Sequence, residues 1–233
     1  PPDRLGHRPG GGMGRRGIKI HACGRRACWE LMRLKHRAVA IDGPSGAGKS
    51  TMAKRIAEAL GFLYVDTGAI YRTVGLSARR AGVSPENREG IIGLLPGLHI
   101  DLRYGEDGLQ RMYLNGEDVT DDIRLPEISM YASQVSAIPE VRAFLLQMQR
   151  ELAATRDVIM DGRDIGTVVL PEATVKLFLT AQPEDRARRR LAELLERGTR
   201  TDYDQVLSDI LQRDESDTRR AAAPLRQAGD AIR

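Results

Sequence analysis

The sequence predicts an α/β protein whose core is a parallel β-sheet flanked by helices, with a small antiparallel insert. Short apolar runs without polar alternation, such as 38–41, are typical of strands that are buried on both faces of a parallel sheet. Segments with helical spacing of apolar residues separate these runs, which is the pattern of α/β folds. Between His99 and Thr120 the spacing changes to two, and this change indicates a small antiparallel sheet.

The elements follow one another in an order that this class requires. The first strand, 38–41, leads through a glycine-rich turn into a helix over 49–60, and Asn115-Gly116 gives the insert a hairpin turn. The apolar face of the first helix is predicted to consist of Met52, Ile56, Ala59 and Leu60. Further strands are predicted at 63–65, 158–160 and 175–179, and further helices at 70–81, 86–95, 127–136, 141–154, 184–197 and 204–216.

The charge of the 233-residue chain is distributed unevenly. The formal total is +4, but residues 1–37 carry a net +8 and the remainder a net −4. A nucleic-acid partner is therefore not expected for the main body, because its charge has the wrong sign. No stretch approaches the roughly 18 apolar residues that a membrane span needs. Two cysteines provide no disulfide framework, so we expect a cytoplasmic protein, and we expect a monomer.

Residues 1–37 are predicted to be a basic extension outside the fold. No apolar period runs through 1–16, which predicts disorder there. The set His21, Cys23, Cys28 and His36 fits no common zinc finger, so free thiols are favoured over a zinc site. Because Met32 stands six residues before the first strand, we hypothesise that the natural start lies near it.

The segment Gly43-Pro44-Ser45-Gly46-Ala47-Gly48-Lys49-Ser50 fits the phosphate-loop pattern G-x-x-x-x-G-K-[ST], and it lies between a strand and a helix as that pattern requires. The glycines allow backbone N–H groups to surround phosphate oxygens, and the helix N-terminus adds positive charge. Lys49 would reach the β- and γ-phosphates, and the Ser50 hydroxyl would hold Mg²⁺. The motif predicts a bound nucleoside triphosphate without specifying the reaction.

Three further clusters bear on the reaction. Asp66-Thr67-Gly68-Ala69-Ile70-Tyr71-Arg72 and Asp161-Gly162-Arg163-Asp164 each follow a strand, where ligands bind in parallel sheets. The third cluster is Arg213, Asp217, Arg219 and Arg220, in the last helix, and it follows a basic run of Arg186, Arg188, Arg189 and Arg190. Phosphoryl transfer needs cations and the exclusion of water, which a mobile lid bearing arginines would supply. A solvated helix face is an equally good interpretation of Arg188 and Arg190.

Five segments carry a resemblance to a known family. They are the phosphate loop with its following threonine (43–51), the segments 66–72 and 161–169 that follow two strands, Ala-Ser-Gln-Val-Ser (132–136) and Arg-Asp-Glu-Ser-Asp-Thr-Arg-Arg (213–220). Over about 38–232 the chain resembles the bacterial-type cytidylate kinases, which are nucleoside monophosphate (NMP) kinases with a P-loop. The small antiparallel insert is also a mark of this type.

The resemblance implies an enzyme of pyrimidine nucleotide metabolism that transfers phosphate from ATP to CMP or dCMP with Mg²⁺. It also implies a kinase domain over 38–233, with an NMP-binding insert at about 67–156 and a lid at about 184–220. The implied ATP-binding residues are Gly43, Pro44, Ser45, Gly46, Ala47, Gly48, Lys49, Ser50 and Thr51. The implied CMP-binding residues are Thr67, Tyr71, Arg72, Ser133, Arg142, Arg163, Asp164, Arg213, Asp217 and Arg220. Lys49, Arg163 and Arg220 would be catalytic, and Mg²⁺ would bind Ser50 and, through water, Asp161.

Within the implied CMP site, Ser133, Arg142 and Asp164 would contact cytosine, and Arg213 and Asp217 the sugar. The chemistry of the base supports this assignment, because the exocyclic amino group of cytosine can donate to Asp164. Uracil would present a carbonyl oxygen there, at a cost of about 1–3 kcal/mol. We therefore expect CMP and dCMP to be preferred over UMP.

Alternatives remain open at this point. The family resemblance implies a further strand and a helix after the position of residue 233, which this sequence does not contain, so a truncated nucleotide-binding relic without activity is one alternative. Another small-molecule kinase of the same fold, such as an adenylate, thymidylate or shikimate kinase, is a second. A GTP-dependent switch would usually carry an Asn-Lys-x-Asp motif, which the sequence lacks. Nucleic-acid binding through the basic extension is a further possibility.

Overall fold

The computed structural model describes residues 36–196 and 198–233. The predictions of disorder at 1–16 and of a start near Met32 lie outside these residues. The zinc interpretation does too, apart from His36.

The described part of the chain forms two sheets and seven α-helices. The strands are β1 (Ala38–Asp42), β2 (Leu63–Asp66), β3 (Ile100–Tyr104), β4 (Gln110–Leu114), β5 (Glu117–Asp118), β6 (Val158–Gly162) and β7 (Val175–Phe178). The helices are α1 (Lys49–Leu60), α2 (Thr67–Arg80), α3 (Arg88–Leu94), α4 (Pro126–Ser136), α5 (Pro139–Thr155), α6 (Pro183–Glu196) and α7 (Tyr203–Arg219). Short 3₁₀ turns lie at Leu95–Gly97 and Asp122–Arg124.

The main sheet is parallel, with strand order β2-β6-β1-β7, as the apolar runs predict. Its register places Asp66 beside Asp161 and Asp42 beside Gly162. The carboxyl ends of the strands therefore meet at one edge of the sheet, where ligands bind in folds of this class. Beyond β7, Ile232 pairs in parallel with Leu177, which is where the resemblance places the start of a further strand.

The second sheet, β3-β4-β5, is antiparallel and confirms the predicted insert. It is attached to edge strand β2 through side chains. The Tyr104 hydroxyl donates to the Tyr64 carbonyl oxygen at 2.7 Å. The Gln110 side chain accepts from the Asp66 N–H at 2.8 Å and donates to the Asp66 carbonyl oxygen at 3.2 Å. The Gln110 side chain thus makes the two backbone hydrogen bonds to Asp66 that a neighbouring strand would otherwise make.

Helix α1 uses a different face from the one the sequence predicts. Met52 and Leu60 are 37% and 53% exposed, whereas Ala53 and Ala57 are buried against Val39, Ile41 and Ile159. Of the predicted face, Ile56 does pack against this cluster, whereas Met52, Ala59 and Leu60 are exposed, so the prediction is wrong at those three positions. Alanines occupy the buried positions because their small side chains allow the helix backbone to lie close to the sheet. This closeness is needed because α1 begins directly at the end of the phosphate loop.

Several helices are longer than predicted, for reasons that their ends show. Helix α2 begins at Thr67 rather than 70, because the Asp66 carboxylate accepts from the Ala69 N–H at 3.0 Å and caps it. Helix α5 begins at Pro139, a residue that suits a first helical turn. Helix α7 continues to Arg219 rather than 216, so that Asp217 is a helical residue.

The apolar core lies mainly between the parallel sheet, the insert and helices α2, α4 and α5, and its most buried members include Ile70, Ile128, Leu145 and Met160. A separate small cluster, Ala187, Val206 and Ile210, joins α6 to α7. None of the helices in the described ranges is long and apolar enough to cross a membrane.

A π-helical turn at Ile165–Val169 follows β6 and the Arg163-Asp164 pair. The sequence does not predict it. The Asp164 carbonyl oxygen accepts from the N–H groups of both Val168 and Val169. Single π-helical turns are rare and often lie at functional sites, and this one adjoins two residues of the implied site.

Candidate active site

The phosphate loop lies between β1 and α1, as predicted. Gly43, Gly46 and Gly48 have φ angles of +147°, +72° and +95°, which side chains disfavour. A Cβ atom at Gly43 would lie 1.9 Å from the Leu179 carbonyl oxygen, so this position also requires the absence of a side chain. The backbone path therefore depends on glycine for two separate reasons.

Lys49 begins α1, and its buried ammonium group donates to the Pro44 carbonyl oxygen at 2.7 Å. The bond folds the side chain back over the loop. Burial, with the nearby Arg163 guanidinium, lowers the pKa of Lys49 to about 7. Negatively charged phosphate oxygens above the loop would stabilise the cationic form of Lys49 and raise its pKa again.

Asp161, at the end of β6, receives bonds from three side chains. The Ser50 hydroxyl donates to its Oδ2 at 2.7 Å and the Tyr64 hydroxyl to its Oδ1 at 3.2 Å. The Thr67 hydroxyl donates to its backbone oxygen at 2.7 Å. Burial, with the neighbouring Asp66 carboxylate, raises the pKa of Asp161 to about 6.

These groups fit a magnesium ion. Hydroxyl and carboxylate oxygens are the ligands that Mg²⁺ takes, and a cation would relieve the repulsion between Asp66 and Asp161. In the described ranges, no group of three or more His, Cys, Asp or Glu side chains forms a metal site by itself. At nucleotide sites Mg²⁺ is usually held partly by phosphate oxygens and water.

Asp164 lies just beyond β6 and is buried between two arginines. Its carboxylate pairs with Arg142 of α5 and with Arg220, which follows α7; the Arg220 contact is 3.4 Å. Arg142 also donates to the Ser136 carbonyl oxygen at 3.1 Å, and its guanidinium lies 5.5 Å from the centre of the Tyr71 ring. A carboxylate, two guanidinium groups and an aromatic face thus converge on one space.

A second buried ion pair lies beside the first. Arg163 Nε donates to Asp217 Oδ2 at 2.7 Å, and Arg220 lies 3.6 Å from Asp217 Oδ1. Burial alone would raise the pKa of Asp217, but Arg163 outweighs it and holds that pKa below its usual range. Asp217 therefore links the segment after β6 to the last helix.

Two arginines at this site lack partners for a buried donor. In the part of the chain that the structure describes, nothing accepts a hydrogen bond from the Nε–H of Arg72 or of Arg213. Burial and the nearby Arg163 guanidinium lower the pKa of Arg213 to about 10. Buried, unpaired cationic donors are costly unless a ligand pairs with them. The site is therefore built for an anion.

The sequence model of the family described as "Cytidylate kinase" matches residues 39–233. The chain belongs to the cytidylate kinase family. A cytidylate kinase of Caldicellulosiruptor bescii is 53% identical over 199 residues, covering 85% of this chain and 88% of the relative. One of Pelotomaculum thermopropionicum is 50% identical over 193 residues, covering 83% and 85%.

A solved shikimate kinase of Bacteroides thetaiotaomicron is a more distant neighbour of this cytidylate kinase family member. It has 18% identity and a TM-score of 0.38, and the match covers 77% of this chain and 78% of that one. The fold of the present chain, a parallel sheet with flanking helices and a phosphate loop after β1, is the α/β P-loop fold that the sequence predicts.

Most of the residues that the family resemblance implies lie together. Tyr71, Arg142, Asp164 and Arg220 form one group, and Arg163, Arg213 and Asp217 another. Arg72 extends this second group, although its guanidinium pairs with Asp66 at 2.8 Å. Ser133 is half-buried on α4, one turn before the Ser136 carbonyl that holds Arg142.

The arginines of the late helices do not share one environment. Arg219 is exposed and pairs with Glu215, and Arg188 is exposed and pairs with Asp185, so a solvated face describes both. Arg190 is half-buried, pairs with Glu193 at 3.2 Å, and lies near enough to Arg213 to lower its pKa. For Arg190 a solvated face is therefore the poorer description.

Arg186 has a structural role that the sequence does not predict. It is 2% exposed and donates to the Ser45 carbonyl oxygen at 3.0 Å. It also forms a bidentate ion pair with Asp214 of α7, with one hydrogen bond to each carboxylate oxygen. It thereby joins the phosphate loop to both late helices. In the sequence it is one arginine of a basic run, and its partners are 141 and 28 residues away, so no local pattern distinguishes it.

Proposed function

We propose that the chain transfers the γ-phosphoryl group of ATP to CMP or dCMP, which gives ADP and CDP or dCDP. One observation supports this most directly: the Arg142–Asp164–Arg220 cluster lies buried beside a phosphate loop, in a member of the cytidylate kinase family. The loop suits a triphosphate, and the cluster suits a second, smaller nucleotide whose base offers both donors and acceptors.

On the ATP side, the residues from Gly43 to Thr51 would bind the phosphates. Backbone N–H groups of the loop and the N-terminus of α1 supply the donors, and Lys49 supplies a charge. Ser50 directly, and Asp161 through water, would hold Mg²⁺, which when bound draws negative charge away from the phosphoryl group that moves. The hydrogen bond between the Ser50 hydroxyl and the Asp161 carboxylate holds these two groups side by side before any ion binds.

On the CMP side, three arginines would hold the phosphate, namely Arg72, Arg163 and Arg220, with Thr67 and Tyr71 beside them. Asp164 would accept from the exocyclic amino group of cytosine, and Arg142 and Ser133 would donate to its ring nitrogen and oxygen. Arg213 and Asp217 would contact the sugar. The unpaired Nε–H groups of Arg72 and Arg213 support ligand contacts at these two positions.

The reaction needs positioning and charge stabilisation more than covalent chemistry. We assign Lys49, Arg163 and Arg220 to the phosphoryl group in transit, and the exclusion of water to a lid at about 184–220. The segment at about 67–156 would form the NMP-binding part of the domain 38–233. We further propose that the protein is a monomer and that it is located in the cytoplasm.

The proposal is tested by measuring ADP release in a coupled assay with CMP, dCMP, UMP and AMP, with Mg²⁺ and with a chelator. We expect turnover of CMP and dCMP, much slower turnover of UMP, and none without Mg²⁺. A Lys49→Met variant is the control for contaminating kinases. Equal turnover of CMP and UMP would refute the base assignment, and nucleotide binding without any turnover would favour the inactive relic.

A further inference from the structure

Asp42 is a buried carboxylate with no role in the mechanism above. It ends β1, directly before the phosphate loop, and is 4% exposed. Its side chain accepts two backbone hydrogen bonds, from the N–H of Ile165 to Oδ1 at 2.8 Å and from the N–H of Gly166 to Oδ2 at 2.7 Å. Each oxygen thus holds one amide, and the pair of bonds fixes an orientation as well as a distance.

The two amides begin the π-helical turn that follows Arg163 and Asp164. Because Ile165 comes next after Asp164 in the chain, the direction of this turn determines where the Asp164 and Arg163 side chains lie. Gly166 permits the close approach, since a Cβ atom there would lie 3.4 Å from Asp42 Oδ2 and 3.1 Å from Lys176 Cδ. The contact between Asp42 and this turn therefore depends both on the carboxylate, which accepts the two hydrogen bonds, and on Gly166, which leaves room for it.

Asp42 also touches the other two segments at this edge of the sheet. Its carbonyl oxygen accepts from the Leu179 N–H at 2.8 Å, and its peptide bond to Gly43 opens the phosphate loop. The charged groups that act on its carboxylate are Lys49 and Asp164. A carboxylate in such a place is costly to bury, and a role limited to filling space would be met better by an apolar side chain.

We infer that Asp42 is a positioning residue for the phosphoryl acceptor: it holds the turn at 165–166 so that Arg163 and Asp164 face the monophosphate and its base. The inference rests on the proposed function. On this inference Asp42 contributes to the selection of cytosine, although its side chain contacts neither nucleotide. It also connects the end of β1, which leads into the phosphate loop, to the residues that would bind CMP.

The substitution Asp42→Asn tests this inference with little change in shape. The amide oxygen can accept from one N–H, but the amide NH₂ then faces the other N–H and cannot accept from it. We expect the KM for CMP to rise about tenfold, which corresponds to about 1.4 kcal/mol. The preference for CMP over UMP should fall with it, while the KM for ATP changes by less than about twofold.

The control is Asp157→Asn, which changes a carboxylate that also accepts a backbone hydrogen bond, from the Arg37 N–H at 2.7 Å, but lies at the opposite end of the main sheet, just before β6. It should leave both KM values and the CMP preference unchanged. A purely structural role for Asp42 predicts a lower unfolding temperature with an unchanged CMP preference and an unchanged ratio of the two KM values, and that result would overturn the inference.

A second variant covers the case in which Asp42→Asn does not fold. Gly166→Ala keeps the carboxylate and adds a methyl group at the same contact, so it should raise the KM for CMP in the same direction by a smaller factor. If it folds and leaves that KM and the CMP preference unchanged, the inference is wrong. Failure of the proposed function is distinct, because the unsubstituted chain would then show no preference for CMP.

Discussion

At the scale of single residues, the site is dominated by carboxylates that arginines already hold. Asp164 pairs with Arg142 and Arg220, and Asp217 with Arg163. An ionised carboxylate accepts about four hydrogen bonds, so Asp164 keeps capacity for an amino group of the substrate. The ion pairs with Arg142 and Arg220 also orient the Asp164 carboxylate before a substrate binds.

Replacing Asp164 with asparagine should affect both specificity and stability. The amide can no longer neutralise Arg142 and Arg220, and breaking a buried ion pair costs about 3–5 kcal/mol. We expect kcat/KM for CMP to fall by at least about tenfold and the preference over UMP to be lost. Steady-state assays with both acceptors and denaturant unfolding measure these effects. The control Asp107→Asn, at an exposed turn of the insert, should be neutral.

The pKa of Asp42 predicts a pH-dependent stability. Burial raises this pKa from 3.8 to about 6, against the two backbone N–H bonds, which lower it. The folded state therefore binds this proton more tightly than the unfolded state, so the stabilisation is complete below about pH 4 and is lost as the pH rises through 6. The stability of Asp42→Asn relative to the unsubstituted chain should therefore rise by about 2.4 kcal/mol when the pH is raised from 4 to 7.

Unfolding curves of both proteins at several pH values provide this comparison. A stability difference that stays constant from pH 4 to pH 7 would show that the Asp42 carboxyl group titrates normally in the folded protein.

At this scale the sequence predicts the residues but not their partners. Arg163 and Asp164 can be chosen because they follow a buried strand, and Lys49 because it belongs to a motif. Asp42 stands at the end of a strand too, and that position is the signal which could have identified it. The pairing of Arg186 with Ser45 and Asp214 arises only when distant segments meet, so no local pattern predicts it.

At the scale of elements, the phosphate loop requires glycine at its first position. A Cβ atom at Gly43 would collide with the Leu179 carbonyl oxygen, so Gly43→Ala should displace the loop and reduce kcat/KM for ATP by about 100-fold or more. The matched control is Gly61→Ala, at the end of α1. Gly61 also has a positive φ, +67°, but no atom lies within 4 Å of its Cβ position.

The control should lose only about 1 kcal/mol of stability from backbone strain and keep its kinetic constants. Similar kinetic losses in the two variants would show that positive φ, rather than the contact with Leu179, makes glycine necessary at position 43.

The link between α6, α7 and the phosphate loop depends on Arg186. Arg186→Met should destabilise the protein by about 2 kcal/mol or more, because the Asp214 carboxylate and the Ser45 carbonyl lose a partly buried donor. Arg188→Met, two residues along the same helix, should change stability by less than about 0.5 kcal/mol, since its pair with Asp185 is exposed. Thermal unfolding of the two variants distinguishes a structural arginine from a solvated one.

The elements themselves are predicted well in kind and less well at their ends. Apolar runs and helical periods identify the strands and helices because burial repeats along them. The start of α2 depends on a side-chain cap, the π-helical turn on two bonds to Asp42, and the buried face of α1 on the closeness of the sheet. These are tertiary effects, and they leave little trace in apolar spacing.

At the scale of the whole molecule, all the residues that we propose to bind nucleotide or to position those residues lie between Asp42 and Arg220, and none lies among the first 31 residues. We expect a chain of residues 32–233 to keep the kcat and the KM for CMP of the full chain within about twofold. Any salt-dependent binding of a polynucleotide by the full chain should weaken strongly with this deletion, because it removes a net charge of +5 and leaves residues 32–233 with a net charge of −1. Loss of activity on deletion would contradict the assignment of the extension to a place outside the kinase.

The pair of helices α6 and α7 has its own apolar cluster of Ala187, Val206 and Ile210, distinct from the core beneath the sheet. We expect the proposed lid at about 184–220 to move as one body, because its two helices share a core of their own. The contacts that would oppose this movement are the ion pairs Arg163–Asp217 and Arg220–Asp164 and the bond from Arg186 to Ser45. Nucleotide phosphates would compete for the guanidinium groups of Arg163 and Arg220, so we expect substrate binding to weaken these ion pairs and to favour closure of the lid.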